Sequence, residues 1–334
     1  MAISMSPKEN MLACLSHKPH QYTPCFLDMA PCGLFEPFER GGVDGGTDIF
    51  GVRWVSPRSG GMMSCLPAPG EFLLTDITKW KSVITFPTNL DWFDWEGTAE
   101  AQLANMNRDT TALECVTNNM VYERIAAFMG FEEALMAMAE EPEAVYELFE
   151  AIVDWKIMLL KYYAKYWKPD AYTYCDDVAT ERNLFMSPDT YRKLIKPFHT
   201  RMVKEANELG MMAIQHTCGK ADLLVEDMID EGNDGWGAVQ AQNDLAGIIE
   251  KYGDKFVLIG GYDTTGPTGQ LDCTEEMARA ETRRCMEEYG KFGKGYVFTG
   301  MVMTGRDDND QPIDSPANAA LFDEFFKIRA EQTA

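Results

Sequence analysis

The chain has 334 residues, 46% of them hydrophobic and 25% charged, and a formal net charge of -23 from 30 Lys and Arg against 53 Asp and Glu. That apolar share excludes a disordered chain, and purely apolar runs, such as Ile157–Leu160, fall far short of the roughly 20 residues that span a membrane. The acidic balance excludes nucleic acid and anionic lipid as partners, and no basic segment followed by an apolar one opens the chain, so the expected compartment is cytoplasmic.

Residues 7–17 read as a short amphipathic helix, and 23–29 (TPCFLDM) as a strand. From about 30 to 89 the chain is rich in Gly and Pro, with β-like pieces at 52–55 and 71–75. An irregular stretch of that length in a compact domain is usually a functional lid or binding loop. Helical spacing returns at 97–106 and again over 130–167, with Leu135, Met138, Val145, Leu148, Ile152 and Leu159 on one stripe.

A regular alternation follows. Strands at 171–175, 211–216, 235–240, 255–261 and 295–300 are each followed by a helix, at 188–209, 220–231, 245–252, 274–289 and 316–329. Successive strand-then-helix units demand a parallel sheet, and right-handed crossovers close it most simply as a (β/α)8 TIM barrel. The earlier strands are assigned to 23–29, to a piece near Leu113–Thr117, and to at least one segment of the irregular region. No linker or repeat divides the chain, so 1–334 reads as one α/β domain with an N-terminal extension and long early loops.

Catalytic groups in such barrels collect at the C-terminal strand ends. Those positions hold Asp28 and Cys32, Asp176 and Asp177, His216 and Cys218, Gln240 and Gln242, Tyr262 and Asp263, and Met301 to Thr304. In His216-Thr-Cys218-Gly219 the residues on either side of the threonine, at a strand end, can both turn to the axis, and imidazole with thiolate suits Zn²⁺. Gly219 would permit the tight turn behind them. Candidates for a third ligand are Glu181, Asp177, Glu123, Cys285 and Cys273, with Glu181 the first choice. Asp177, Asp28 and Tyr174 are the candidate catalytic groups. Of Asp176 and Asp177, one should face the mouth while the other caps a helix or accepts backbone N–H groups. Ser187-Pro188 reads as an ordinary helix start. The nine cysteines are odd in number and scattered, and read as reduced core thiols with any outlier a ligand or nucleophile. There is no G-x-G-x-x-G, P-loop, G-x-S-x-G or C-x-x-C, which removes the usual supports of nucleotide-dependent and serine-hydrolase chemistry.

The run from Asp170 to Gly266, with 48–54 (DIFGVRW), Met129-Gly-Phe-Glu-Glu, Glu141-Pro-Glu and Pro316-Ala-Asn, resembles the uroporphyrinogen decarboxylase superfamily. The resemblance implies a (β/α)8 barrel. Members that decarboxylate uroporphyrinogen carry an arginine-bearing P-x-W-x-M-R-Q-A-G-R signature. The corresponding 24–33 here, PCFLDMAPCG, has no arginine to meet a polyanionic tetrapyrrole.

The other branch, corrinoid-dependent methyltransferases, uses H-x-C for two zinc ligands. Its thiol-methylating members complete the site with a later cysteine, and the matching 299–305 (TGMVMTG) has none. The resemblance therefore implies the O-demethylase-like relatives, with Asp177, Glu181 or Glu123 in place of the sulfur. The expected activity is transfer of a methyl group from a methoxylated aromatic to the cob(I)alamin of a separate corrinoid protein. Phe26, Phe35, Gln240, Tyr262 and Met301 are expected to bind the substrate, with Tyr22 and Phe38 further aromatics near it. A homo-oligomer is allowed. The rival readings are a metal-independent decarboxylase of a less anionic substrate, using Asp28 or Asp177 as acid, and a non-enzymatic tetrapyrrole or corrinoid carrier.

Overall fold

The computed structural model describes residues 4–33, 38–40, 45–56, 65–303 and 315–333. Its strands in chain order are β1 (Met29–Cys32), β2 (Gly45–Thr47), β3 (Arg53–Val55), β4 (Leu66–Pro67), β5 (Ala112–Thr117), β6 (Ala171–Cys175), β7 (Met212–His216), β8 (Gly235–Val239), β9 (Val257–Gly261) and β10 (Tyr296–Thr299). Seven form one parallel sheet in the order β1-β5-β6-β7-β8-β9-β10, while β2, β3 and β4 make a separate antiparallel sheet. A single parallel bridge links Phe298 of β10 to Cys25, just ahead of β1.

The sheet thus curls as in a TIM barrel, with seven parallel strands among the described residues where eight were expected. Among the described residues, the irregular region past β1 supplies no barrel strand, because its β pieces pair with one another: Trp54 stands opposite Gly46 on one side and Pro67 on the other. The strands of the regular alternation lie within two residues of their expected bounds. Every position of β6 and β9 is buried, since helices cover the outside and side chains fill the inside, and such strands read as continuous apolar runs.

Two expected helices are each split. The stripe over 130–167 divides into Phe131–Glu140 and Pro142–Tyr166, and 188–209 divides into Pro188–Leu194 and Lys196–Glu208. In both cases a proline, Pro142 or Pro197, sits in the first turn of the second helix, where it removes an N–H that would continue the first. The start at Ser187-Pro188 is as expected, with the Ser187 hydroxyl accepting the Thr190 N–H.

The segment 23–29 also departs from expectation. It forms a 3-10 turn at Phe26–Asp28 before β1 begins at Met29. Asp28 therefore stands at the N-terminal end of the first strand, opposite the mouth.

Buried ion pairs fasten the early loops to the helix layer. Arg124 donates to Asp48 Oδ2 at 2.7 Å and to the Glu39 carbonyl, and Lys156 Nζ donates to Glu39 Oε1 at 2.6 Å. The Trp54 indole N–H adds a bond to Asp48 at 3.1 Å. Arg124, Asp48, Lys156 and Glu39 all have side chains no more than 1% exposed. Eight of the nine cysteines are buried free thiols; Cys218 is the partly exposed outlier. No described helix is long and apolar enough to cross a membrane.

Candidate active site

β6 and β7 end side by side, with Cys175 in register with His216. Past those ends the chain makes two turns that lock together. The Thr217 hydroxyl accepts the Val178 N–H at 3.1 Å, and its carbonyl accepts the Trp236 indole N–H at 2.9 Å. Thr217 is thereby held outward, which turns His216 and Cys218 on either side of it inward. Gly219 has φ +86, and a Cβ there would meet the Thr180 and Ala179 carbonyls at 2.5 and 2.7 Å. Only glycine fits that approach.

Asp177, from the turn after β6, joins the pair. Its Oδ1 accepts the Cys218 N–H at 2.7 Å, and Cys218 Sγ lies 3.7 Å from His216 Nε2. One donor atom from each of Asp177, His216 and Cys218 falls within 4.8 Å of the others. Tetrahedral zinc, with Zn–S of about 2.3 Å and Zn–N of about 2.0 Å, would place sulfur and nitrogen about 3.5 Å apart. The donor chemistry and spacing fit that ion.

Asp176 does the other task expected of the pair. It is wholly buried, and its carboxylate accepts the N–H groups of Tyr122 and Glu123 at 3.2 and 2.8 Å. These open the helix Val121–Met129, whose own N-cap residue, Met120, offers no side-chain bond. His199 Nε2 contacts the same carboxylate at 2.9 Å, and Tyr191 and Glu231 continue the network behind the sheet. The capped helix brings Glu123 to the cavity.

Electrostatics follow from burial. Desolvation holds the His216 imidazole below its ordinary value against the raising effect of Asp177, which favours the neutral form that ligates metals. Burial, followed by the charges of Asp177 and Glu123, pushes the Cys218 thiol far upward. A bound divalent cation reverses that penalty by stabilising the thiolate. Burial and the Asp177 charge also push Glu123 up to about 8.

These groups face a cavity of about 890 Å³, within the range of small-molecule sites. The lid gives it Arg40, Trp54, Leu66 and Phe72, and the helix side gives Tyr122, Phe131 and Phe185. The last three rings pack together with centroids 4.9 to 5.9 Å apart. Ala238 also lines it, at φ +59 in a bulge between Gly237 and Val239. Such backbone strain gathers at functional sites.

Several expected site residues lie elsewhere. Asp28 is bound by Arg329 at 3.0 and 3.1 Å and accepts the Cys25 N–H. Tyr174 points to the outer face of the sheet, where its ring lies 5.0 Å from that of His199 and its hydroxyl donates to Gln215. Alternation along β6 puts Thr173 and Cys175 inside and Tyr174 out. Glu181 is exposed, four residues past Asp177 and outside the triad.

Gln240 supports the turn after β7 by accepting the Gly219 N–H at 2.8 Å. Tyr262 is buried with its hydroxyl on the Thr268 carbonyl. Met301 is 54% exposed. None of these three lines the cavity. Phe26 does, at its floor. Tyr22 instead stacks on Arg329, and Phe38 packs on Trp95 in the core. Phe35 lies outside the described residues. Cys273 and Cys285 are buried and outside the triad. The residues not anticipated are Arg40, Glu114 and the aromatics Trp54, Phe72, Tyr122, Phe131 and Phe185. The only advance signal for the lid members was the unusual length of their loop.

The model of the uroporphyrinogen decarboxylase (URO-D) family matches residues 125–300, more than half of the chain. The chain belongs to that family. The URO-D match includes β6 to β10, the strands that carry the triad and one wall of the cavity. Among solved structures, a methyltransferase from Methanosarcina mazei is similar with a TM-score of 0.70 and 14% identity, covering 97% of this chain and 99% of that one. At that identity the likeness establishes the shared fold. No curated protein matches the sequence.

Proposed function

We propose that this URO-D family member is a zinc-dependent methyltransferase, moving a methyl group from a methoxylated aromatic compound to the cob(I)alamin of a separate corrinoid protein. The observation that carries this reading is the Asp177, His216 and Cys218 cluster on the wall of a largely apolar cavity. Three protein ligands beside open space are what a catalytic zinc needs, because the fourth position goes to the substrate. The similar Methanosarcina mazei protein is a methyltransferase, which agrees with it.

Zinc, held by those three side chains, would supply Lewis acidity toward the substrate's ether oxygen. The protein's own groups do the rest. Tyr122, Phe131 and Phe185 offer ring faces and edges to an aromatic substrate. The Asp177 bond to the Cys218 N–H positions the thiol, and the low basicity of His216 keeps its ring free of a competing proton. Glu123 brings a further carboxyl to the same cavity, where it can exchange a proton with the departing oxygen. With Asp28 engaged by Arg329 at the far end of the strand, the decarboxylase alternative keeps only Asp177 of its two candidate acids.

The test is incubation of the purified protein with cob(I)alamin and a panel of methoxyarenes, methylamines and methylthiols, reading methylcobalamin by absorbance. Cobalt methylation by a methoxyarene, lost in His216→Ala together with stoichiometric zinc, supports the reading. Failure of every donor sinks it, and protein that carries no zinc while remaining active on a carboxylated substrate favours the decarboxylase.

A further inference from the structure

Below the triad, the cavity floor is formed by Phe26, Ile214 and Ile259, which pack onto Met29, Val257 and Val297 in an apolar layer. Into this floor β5 sends one carboxyl. Glu114 is 3% exposed yet lines the cavity. Among the described residues its side chain has one hydrogen-bond partner, the Thr173 hydroxyl, which donates to Oε1. A carboxyl has about four acceptor positions. Burying it in apolar surroundings with one partner is unfavourable unless a ligand meets the rest, and an apolar residue would fill the same floor without that penalty.

The sheet register sets its depth. Thr173 stands opposite Val116 and Ile214, and Cys175 opposite His216. Two residues along a strand span about 6.6 Å, so the carboxyl that meets Thr173 lies roughly one such step below the imidazole. That separation suits the two ends of a single substituted ring. No cation shares the floor: Arg40, the one Arg or Lys among the described lining residues, stands at the mouth and donates to Asn118 at 2.9 Å.

We propose that Glu114 is a specificity-determining residue that accepts a hydrogen bond from a hydroxyl or amide N–H at the substrate end remote from the transferable carbon. The preferred substrates are then neutral, hydroxyl- or amide-bearing methoxyarenes, and methoxybenzoates are rejected. This rests on the methyltransferase reading, which aims the transferable carbon toward the mouth and so leaves the floor to the opposite end. Burial already pushes the Glu114 carboxyl up to about 7. A floor that disfavours one negative charge disfavours a substrate carboxylate beside it still more.

The test is calorimetric binding of para-methoxyphenol, para-methoxytoluene and para-methoxybenzoate to the wild type, Glu114→Gln and Glu114→Leu, with the metal content of each protein measured. The phenol should bind the wild type roughly tenfold or more tighter than the toluene, with the benzoate weakest. Glu114→Leu should bring the phenol-to-toluene ratio near one at unchanged metal content, and Glu114→Gln, which keeps an acceptor, should retain part of the preference. A wild-type ratio near one, tightest binding of the benzoate, no measurable binding of any of the three, or an unchanged ratio in Glu114→Leu overturns the proposal. Binding is read without cobalamin, so correct ranking of the ligands with no methylation of cobalt would remove the transfer reaction alone. Methylation without the ranking would remove only the role of Glu114.

Discussion

The Asp177 carboxylate accepts the Cys218 N–H at 2.7 Å, so the acid nearest the two expected zinc ligands also fixes where the thiol sits. The two roles can be separated. Asp177→Asn keeps an acceptor for the N–H but loses the anionic oxygen, and zinc affinity should fall at least tenfold to a hundredfold while the melting temperature stays close to wild type. Glu181→Ala, an exposed change outside the triad, should leave zinc affinity unaltered. Competition against a chromophoric chelator measures both, and the reverse ranking would restore Glu181 as the third ligand.

A different route to the same loss runs through the backbone. Gly219→Ala would set a Cβ at 2.5 Å from the Thr180 carbonyl oxygen while holding φ at +86. The turn must then open. Strain of this kind costs about 1–3 kcal/mol, and the opened turn moves the Cys218 N–H away from Asp177. We expect lower stability in urea together with weaker zinc binding, whereas an exposed alanine substitution such as Lys193→Ala should change neither. A Gly219→Ala protein with normal zinc affinity would show that the turn does not position the thiol.

β6 through β10 were readable because burial on both faces leaves mostly apolar segments, each followed by a helix, and His216 with Cys218 because their spacing falls at a strand end. Asp177 could not be preferred over Glu181, since which of two acids in one loop faces inward depends on the Thr217 to Val178 bond, a tertiary contact. Asp28 was misplaced because the strand begins where pairing with β5 begins, Met29 opposite Ala112, and apolar residues continue upstream of that point. The lid's contribution was hidden because Arg124, Asp48, Lys156 and Glu39 pair across long sequence separations. A loop held by such pairs resembles an unstructured one in a single sequence.

Glu114 should leave a signature in the pH dependence of stability. Its folded-state value, about 7, lies above the ordinary value of 4.5, so between these values the folded protein retains a proton that the unfolded chain has released. Stability from this group is therefore full below about pH 4.5 and declines as pH rises toward 7. The slope for one such group is about 1 kcal/mol per pH unit. Urea melts from pH 5 to pH 7 should show a shallower decline in Glu114→Gln than in the wild type by about that amount. Parallel profiles would mean that the carboxyl is ionised or solvated in the folded state.

The two partners of the buried Lys156 and Glu39 pair should behave unequally alone and together. Burial depresses the Lys156 amine to about 8 even beside Glu39, a sign that desolvation, helped by the Arg124 charge, more than offsets the attraction. Lys156→Met leaves the Glu39 carboxyl enclosed without its cation, and removing one member of a buried pair typically costs about 3–5 kcal/mol. Replacing both, as Lys156→Met with Glu39→Gln, removes the stranded carboxyl and should recover most of that loss. Glu39 also accepts the Asn118 N–H, and its carbonyl bonds Arg124 and Asn119, so the single variant should loosen the lid around Arg40 and Trp54. Limited proteolysis within residues 34–64 should accelerate in Lys156→Met and return toward wild type in the double variant. If the double variant is no more stable than the single one, the pair acts through its hydrogen bonds to the lid and not through its charges.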